Sequence, residues 1–318
     1  VTPKLSIVIV SWNVRTLLER CLASLRTPGA GGAYATTSEQ PSSLRLETIV
    51  VDNGSTDGSV EMLRAYHPEV TLVRNQENRG FTAANNQGIA AAHGQYVLLL
   101  NPDTEIRGDG LARLVAFLET HPDVGLVGPQ LLYSDGSIQS SRRRFPTLAT
   151  LFLESTWLAP LAPPALLRRY YVQDRPDDLT TDVDWVTGAA MLTRRTVTEQ
   201  VGGLDERFFM YSEELDWCRR IKAAGWRVVY YPGAQVIHHE GKSSEQAVTA
   251  RHINFQRSKI RYVRKYHGRI AASLLRAYLL TSYVWQLTLE GVKGLAGHKR
   301  ALRWQRVNAY WQVLRSGL

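Results

Sequence analysis

Four stretches of this chain carry residue types that can do chemistry. IVVDNGSTDGS sets Asp52 directly after an apolar run, and YVLLLNPDTEI stops Val97-Leu98-Leu99-Leu100 at Asn101-Pro102-Asp103. SEELD gathers Glu213, Glu214 and Asp216, and VIHHEGKSS ends another apolar run in His238 and His239. A carboxylate on a proline-stiffened turn suits a divalent cation, an acid beside a hydroxyl can take its proton, and an imidazole can ligate or titrate.

These residues need elements to hold them. Apolar periodicity predicts strands at Leu5–Ser11, Glu47–Asp52, Val70–Arg74, Tyr96–Leu100 and Val124–Val127. Helices are predicted at Val14–Leu25, Ser59–Tyr66, Ala83–Ala92 and Leu111–Thr120. Strands alternating with helices mean a mostly parallel α/β sheet, in which ligands bind beyond the carboxyl ends of the strands. Three predicted strands end in polar turns there: Ser11-Trp12-Asn13, Asp52-Asn53-Gly54 and Asn101-Pro102-Asp103. The second half is less regular, with a mixed segment over Leu148–Asp184, a strand-like DWVTGAAMLTRR, a helix from Glu213 to Ala224, and strands at Arg227–Tyr231 and Gln235–His238. The Gly/Ser/Thr/Pro-rich residues 27–43 read as a mobile surface insertion, and after Arg251 the pattern is helical to the end.

No GxGxxG follows the first strand, and Gly241-Lys242-Ser243 lacks the earlier glycine of a P-loop. A diphosphate bound to this sheet would therefore need another partner for its charge, and a divalent metal held by Asp103 is the candidate. Each motif also has a plainer reading. Asp52-Asn53-Gly54 can be turn chemistry with Ser55, Thr56 or Asp57 capping the next helix. Ser212 reads as an N-cap, and the three acids after it sit where the helix dipole favours them in any case. Arg142-Arg143-Arg144 suits phosphate contact or a solvated basic surface equally.

Composition narrows the class. A chain of 318 residues with 44% hydrophobic residues can bury a full core. Cys21 and Cys218 form no CxxC pair, which disfavours a zinc site and a disulfide scaffold and fits buried thiols in a reduced compartment. Leu5–Val10 reads as a first strand, too short for a signal-peptide core. Residues 251–318 carry 14 Lys+Arg and one acid, Glu290, a net of +13 against +9 for the whole chain, which leaves −4 for residues 1–250. Nucleic-acid binding is not expected, since no helix-turn-helix, zinc or RRM signature accompanies the charge. Residues 277–289 are uncharged, too short to span a bilayer and bracketed by the basic runs Lys259–Arg269 and Lys299–Arg306, a pattern that suits a helix lying on an anionic membrane surface. A helical pair with a solvated basic face fits it as well.

Taken in order, SIVIVSWN, IVVDNGSTDGS, NRGFTAANNQG, YVLLLNPDTEI, TGAAMLTRR, GGLDERFFMYSEELDWCRRIKAAGW and VIHHEGKSS resemble family 2 glycosyltransferases of the GT-A fold, and within them bacterial rhamnosyltransferases. The resemblance covers residues 4 to 269. It implies a Rossmann-like nucleotide-diphospho-sugar transferase fold with a mostly parallel central sheet over residues 1–250, its donor half about 1–130 and its acceptor-side half about 131–250, with a basic helical appendage over 251–318. It places Ser11, Asn13, Asp52, Asn78, Gly80, Asn85, Asn101 and Asp103 around the donor, with Asp52 reading the pyrimidine. Gly188 and Ala189 fall on the acceptor side. Asp103 is the metal-contacting acid of a DXD-type motif in which Asn101 replaces the first carboxylate, and His238 of an H-x-x-G pattern is a second metal or diphosphate contact. Glu214 aligns with the general base, a Glu where the family has Asp, and Asp216 and Glu213 are the weaker candidates.

The implied activity is inverting, Mg²⁺- or Mn²⁺-assisted transfer of a sugar from a dTDP- or UDP-linked donor to a hydroxyl of a lipid-linked or cell-surface glycan. L-Rhamnose from dTDP-rhamnose is the first candidate, another hexose of the same family the alternative. Polyprenol-diphosphate-linked acceptors and a peripheral place at the cytoplasmic face of the plasma membrane follow. A nucleotidyltransferase, which would release pyrophosphate, gives no reason for SEELDWCRR. A non-catalytic sugar- or membrane-binding protein on a degenerate transferase fold gives none for retaining Asp52, Asp103 and Glu214 together.

Overall fold

The computed structural model describes residues 2–26, 44–154, 156–239, 248–297 and 299–318. The predicted insertion over residues 27–43 and the Gly241-Lys242-Ser243 stretch lie outside the described residues. Two compact units emerge: an α/β unit drawn from residues 1–145, 168–209 and 213–243, and a helical unit drawn from 146–167, 210–212 and 244–318.

The α/β unit opens with the predicted alternation: β1 (Leu5–Ser11), α1 (Arg15–Arg26), β2 (Leu46–Asp52), α2 (Ser59–Tyr66), β3 (Thr71–Arg74), α3 (Phe81–Ala91) and β4 (Tyr96–Leu100). β1 pairs in parallel with β2 and β4, and β2 with β3. Every residue of β1 is buried, as a central parallel strand covered on both faces requires. Leu5, Ile7 and Ile9 join Leu18, Cys21 and Leu22 of α1 in the main apolar cluster. On the other face Val8 meets α3 at Gly88, where an added Cβ would lie 2.2 Å from Val8 Cγ1.

The remainder departs from a simple parallel sheet. After β4 come β5 (Thr104–Ile106), α4 (Gly110–Thr120), β6 (Val124–Leu132), β7 (Ile138–Gln139), β8 (Arg142–Arg143), α5 (Leu148–Leu153) and α6 (Pro164–Tyr170). Then follow β9 (Thr181–Val183), β10 (Trp185–Val186), β11 (Ala190–Arg194), α7 (Arg195–Val201), α8 (Glu213–Ala223) and β12 (Arg227–His238). Along the large sheet the order is β3-β2-β1-β4-β11-β6-β12-β5, with β7 beside β6 and β9 beside β12. β11 runs antiparallel between β4 and β6, while β12 is parallel to β6. β6 continues past the predicted end at Val127 because Gly128 and Pro129 still pair with β12, at Tyr230 and Tyr231. The two strands predicted at 227–238 are one, β12, with its register shifted between Tyr231 and Gln235 around Pro232-Gly233.

In the helical unit α9 (Val248–Leu295) is broken at Gly268, whose φ of 89° is left-handed, and α10 (Arg300–Arg315) packs against it. Trp157 Nε1 donates to Ser282 Oγ at 3.0 Å and the Phe152 and Tyr278 rings lie 5.4 Å apart, tying the α5 region to α9. Lys259 donates to Glu154 O at 2.9 Å, and burial pulls its ammonium down to about 8. Glu290 accepts from Arg303 Nη1 at 2.6 Å on both oxygens. Among the described residues no helix is long and apolar enough to cross a membrane.

Gly88 permits a direct test of how closely α3 sits on β1. Alanine would raise helix propensity by about 1 kcal/mol, but a methyl forced into the buried Val8 side chain typically costs about 1–3 kcal/mol. Gly88→Ala is therefore expected to lower the urea midpoint with an unchanged m-value; a raised midpoint would show that the helix can move off the strand.

Candidate active site

β1 and β2 are parallel and in register to their last residues, Ser11 opposite Asp52, so both strands deliver polar groups to one edge of the sheet. Asn13 sits beyond β1 with a left-handed φ of 52°, a conformation asparagine tolerates. Its Oδ1 accepts from Thr56 N at 2.8 Å and its own N–H donates to Ser55 Oγ at 3.0 Å, clamping the two turns together. Asp52 is fully buried: Oδ2 accepts from Ser55 N at 3.1 Å, whereas Oδ1 has no hydrogen-bond partner among the described residues. Ser11 Oγ is buried and unpartnered in the same sense. Of the expected caps Ser55, Thr56 and Asp57, none stands at the N-cap of α2, which is Gly58 with no side-chain cap bond; Asp57 instead accepts from Ser59 N and Oγ and from Arg15 N, tying the loop to α1.

Behind this edge lies a web of amides. Asn53 Nδ2 donates to Asn78 Oδ1 at 3.0 Å and to Gly80 O at 3.2 Å, and Asn53 Oδ1 accepts from Asn75 Nδ2 and Arg79 N. Asn75 and Gln87 exchange hydrogen bonds through both ends of their amides. Asn78 Oδ1 also accepts from Gly80 N, and Asn85 donates to Phe81 O one turn back in α3. Gly80 has a φ of 88°, and an added Cβ would lie 2.6 Å from the Phe209 ring, so it is a point of close packing. Phe209 O in turn accepts from Phe81 N at 2.8 Å. The sequence singled out Asn78, Gly80 and Asn85 as site residues but not Asn53, Asn75, Asn86 or Gln87, although the four amides of NRGFTAANNQ and the preceding Asn75-Gln76 pair signalled the last three. Asn86 grips the Gly203-Leu204 turn, donating to Leu204 O and accepting from Leu204 N, each at 2.8 Å.

The turn after β4 is held by main-chain bonds. Asn101 N donates to Ala189 O at 2.9 Å, Asn101 O accepts from Thr104 Oγ1 at 2.6 Å, and Asp103 O accepts from His239 N at 2.8 Å. Cys21 of α1 lies beneath, its Sγ 3.7 Å from Asn101 O, and burial pushes its thiol up to about 12. Cys218 is buried too and likewise pushed up to about 12. Asp103 is buried with Oδ1 unpartnered by any hydrogen bond among the described residues, and 3.5 Å from it stands His238 Nε2. His238 Nδ1 meets Gln139 Oε1 at 2.8 Å. An amide oxygen can only accept, so Nδ1 donates to it and Nε2 is the nitrogen turned toward Asp103. Asn101 Oδ1 is buried and unpartnered as well. A carboxylate, an imidazole and an amide oxygen are donors that fit a divalent cation whose other positions go to phosphate and water. They make an open site, not a cage: among the described residues no group of three or more His, Cys, Asp or Glu could hold a metal. His239 is used structurally, between Glu105 Oε1 at 2.6 Å and Ser134 Oγ at 2.7 Å.

The three acids of α8 have separate environments. Asp216 is fully buried, and Arg220 Nε donates to its Oδ2 at 2.9 Å while the guanidinium also donates to Val201 O and Gly203 O. That set anchors the helix to the loop before it. Glu213 is 4% exposed with Oε2 unpartnered by any hydrogen bond among the described residues, and burial beside the Glu214 charge holds its carboxyl well above the usual range. Glu214 is half-buried, and its side chain faces Gly188, where an added Cβ would lie 3.7 Å from Glu214 Cβ. The predicted N-cap is corrected: Ser212 has a φ of 63° and Tyr211 a φ of 70°, whereas an N-cap has extended backbone. Two consecutive non-glycine residues in the left-handed region strain the entry to α8.

Phosphate contact by Arg142-Arg143-Arg144 is not supported. Arg142 is 4% exposed and bonds Pro176 O, Arg175 O and Asp177 Oδ1. Arg143 lies over the Tyr171 ring at 4.4 Å, and Arg144 donates to Asp182 O at 3.0 Å.

Two variants separate the flanking acids from Glu214. A buried glutamic acid held protonated gives the unfolded chain an advantage that appears as pH rises above the ordinary 4.5 and grows until the folded carboxyl ionises. Glu213→Gln is therefore expected to melt above the wild type at pH 7 to 8 and to match it near pH 4. Asp216→Asn, losing a hydrogen-bonded charge partner, is expected to cost about 1–3 kcal/mol in denaturant melts.

The sequence model of the family described as Glycosyl transferase family 2 matches residues 6–202. The chain is 32% identical over 254 residues to the N-acetylglucosaminyl-diphospho-decaprenol L-rhamnosyltransferase of Mycobacterium tuberculosis, covering 76% of this chain and 78% of that one. It is 29% identical over 170 residues to the rhamnosyltransferase WbbL of Escherichia coli K12, covering 50% and 61%. In fold it is similar to the mannosyltransferase PcManGT from Pyrobaculum calidifontis in complex with GDP-Man and Mn²⁺, with a TM-score of 0.55 and 18% identity over 99% of this chain and 87% of that one. A second likeness is to GalNAc-T7 with UDP, GalNAc and Mn²⁺, with a TM-score of 0.57 and 17% identity over 82% and 48%. With a family match across more than half its length on a sheet of this topology, the chain belongs to glycosyl transferase family 2 and is a glycosyltransferase of the GT-A fold.

Proposed function

We propose that this enzyme transfers L-rhamnose from dTDP-rhamnose, with inversion, to a hydroxyl of a polyprenol-diphosphate-linked glycan, and that Glu214 is its base. The observation that carries the sugar and acceptor is the 32% identity to the mycobacterial rhamnosyltransferase across three quarters of both chains. The choice of base rests on the contrast within α8, where Asp216 is bonded to Arg220 and Glu213 is buried with its carboxyl pushed up by that burial, leaving Glu214 beside the small Gly188.

Asp52 receives the pyrimidine: its unpartnered Oδ1 can accept the ring N–H while Ser55 N holds the other oxygen. Ser11 and Asn13 flank it, and the amide web of Asn53, Asn78, Gly80 and Asn85 keeps the loop rigid for the diphosphate end. Asp103 and His238, with Asn101 beside them, would hold a divalent cation. When bound, that cation neutralises charge developing on the departing diphosphate. Glu214 accepts the proton of the acceptor hydroxyl as its oxygen bonds to the anomeric carbon and the bond to the diphosphate breaks on the opposite side. The products are the inverted glycoside, dTDP and a protonated Glu214. Gly188 and Ala189 leave room for the acceptor oxygen on the Glu214 side.

The test is release of dTDP from a panel of dTDP- and UDP-sugars with Mg²⁺ or Mn²⁺ and a GlcNAc-diphospho-lipid acceptor. Glu214→Gln is expected to lose at least about a hundredfold in kcat while retaining donor affinity. Near-normal kcat in that variant, with Glu213→Gln inert, would move the base. Asp52→Ala is expected to weaken every pyrimidine nucleotide in equilibrium binding, and Asp103→Ala to abolish the metal dependence of donor binding as well as turnover. Turnover of a UDP-hexose ahead of dTDP-rhamnose would overturn the sugar and leave the base assignment intact.

A further inference from the structure

The part of α9 beyond Gly268 is apolar on two sides. One side is buried through Ala272, Leu275, Leu279 and Tyr283. The other is exposed and equally apolar: Ile270 at 79%, Leu274 at 60%, Trp285 at 57%, Val292 at 59% and Leu295 at 76%. At about 100° per residue these five fall within about 80° of arc, with Ala277, Thr281 and Thr288 between them and no charge on the strip. Arg276 and Lys293 fall about 100° and about 80° beyond its two edges, toward the buried side. A helix with two apolar faces calls for a partner on each, and among the described residues the helical unit covers one of them. The strip is about 38 Å long, from 25 residue steps of about 1.5 Å.

Charge selects the missing partner. Residues 251–318 hold 14 Lys+Arg and one acid, and that acid, Glu290, is already neutralised by Arg303 and lies 3.6 Å from Arg306. A second copy would bring the same net +13 against this surface, so self-association is disfavoured. An uncharged strip on a segment of net +13, with exposed Trp304 and Trp311 on α10, has the chemistry that settles at the interface of an anionic lipid layer. We propose that the exposed face of α9 over residues 270–295 docks on an anionic bilayer, the strip entering the headgroup boundary and the net positive charge of the segment drawing it to lipid phosphates. This rests on exposure and charge in the tail alone and is independent of which sugar or acceptor the enzyme uses.

The experiment uses the full chain and sedimentation with vesicles of phosphatidylcholine, with and without phosphatidylglycerol. Wild type is expected to bind the anionic vesicles at least tenfold more tightly than the neutral ones and to lose that preference in high salt. The W285E/V292E variant changes two exposed residues of the helical unit, whereas α8 and the strand-end turns belong to the α/β unit; it is expected to keep its circular dichroism and donor hydrolysis while losing at least tenfold in anionic-vesicle binding. Equal binding of wild type and variant to anionic vesicles would overturn the proposal. So would a wild-type dimer, seen by light scattering without lipid, that the variant converts to monomer, because the strip would then belong to a second copy.

Discussion

Asn101 donates its amide N–H to Ala189 O, and through this one main-chain bond the Asn101-Pro102-Asp103 turn and the start of α8 share a frame. It extends the antiparallel ladder in which Ala190 pairs with Leu100, so β11 carries Gly188 to the carboxyl end of β4. Gly188 in turn borders Glu214. Because the joint is made of backbone, side chains at the site can vary without loosening the distance between acid and turn. Insertion of an antiparallel strand into a parallel sheet is what makes it possible: a parallel neighbour would have presented its opposite end here.

The edge also separates polar groups that are spent from those that are not. Asn53, Asn75, Asn78 and Gln87 use their amides on one another and on the loop backbone. Among the described residues, Ser11 Oγ, Asp52 Oδ1, Asn101 Oδ1 and Asp103 Oδ1 are buried without hydrogen-bond partners, all at the ends of β1, β2 and β4. Each such atom costs about 1–3 kcal/mol when nothing meets it. A sheet that tolerates several of them at one rim is destabilised locally, in a place where a ligand can restore what is missing.

How far the site could be read from sequence follows the range of the forces involved. β1, β2, β4 and the NPD turn were legible because a buried parallel strand needs an unbroken apolar run and a turn needs its own residue types. Glu213, Glu214 and Asp216 were legible as a group, but their division of labour was not: burial of Glu213 and the Arg220 contact of Asp216 depend on residues that pattern does not bring together. The arginine triplet misled for the same reason, since the partners of Arg142 lie more than thirty residues away, at Arg175, Pro176 and Asp177. The place of β11 between β4 and β6 was hidden because periodicity names a strand without naming its neighbours. Pro232-Gly233 looked like the end of a strand, and the sheet absorbs it as an irregularity.

Cys21 gives the rim of the site a built-in reporter. Its thiol lies under Asn101, wholly inside the protein, and at neutral pH a vanishing fraction of it is thiolate. Alkylating and oxidising reagents attack the thiolate in contact with solvent. Such reagents reach this sulfur only when the packing that covers it opens. The labelling rate at this position is thus a clock for local opening beneath the NPD turn, and it can be read without following turnover at all.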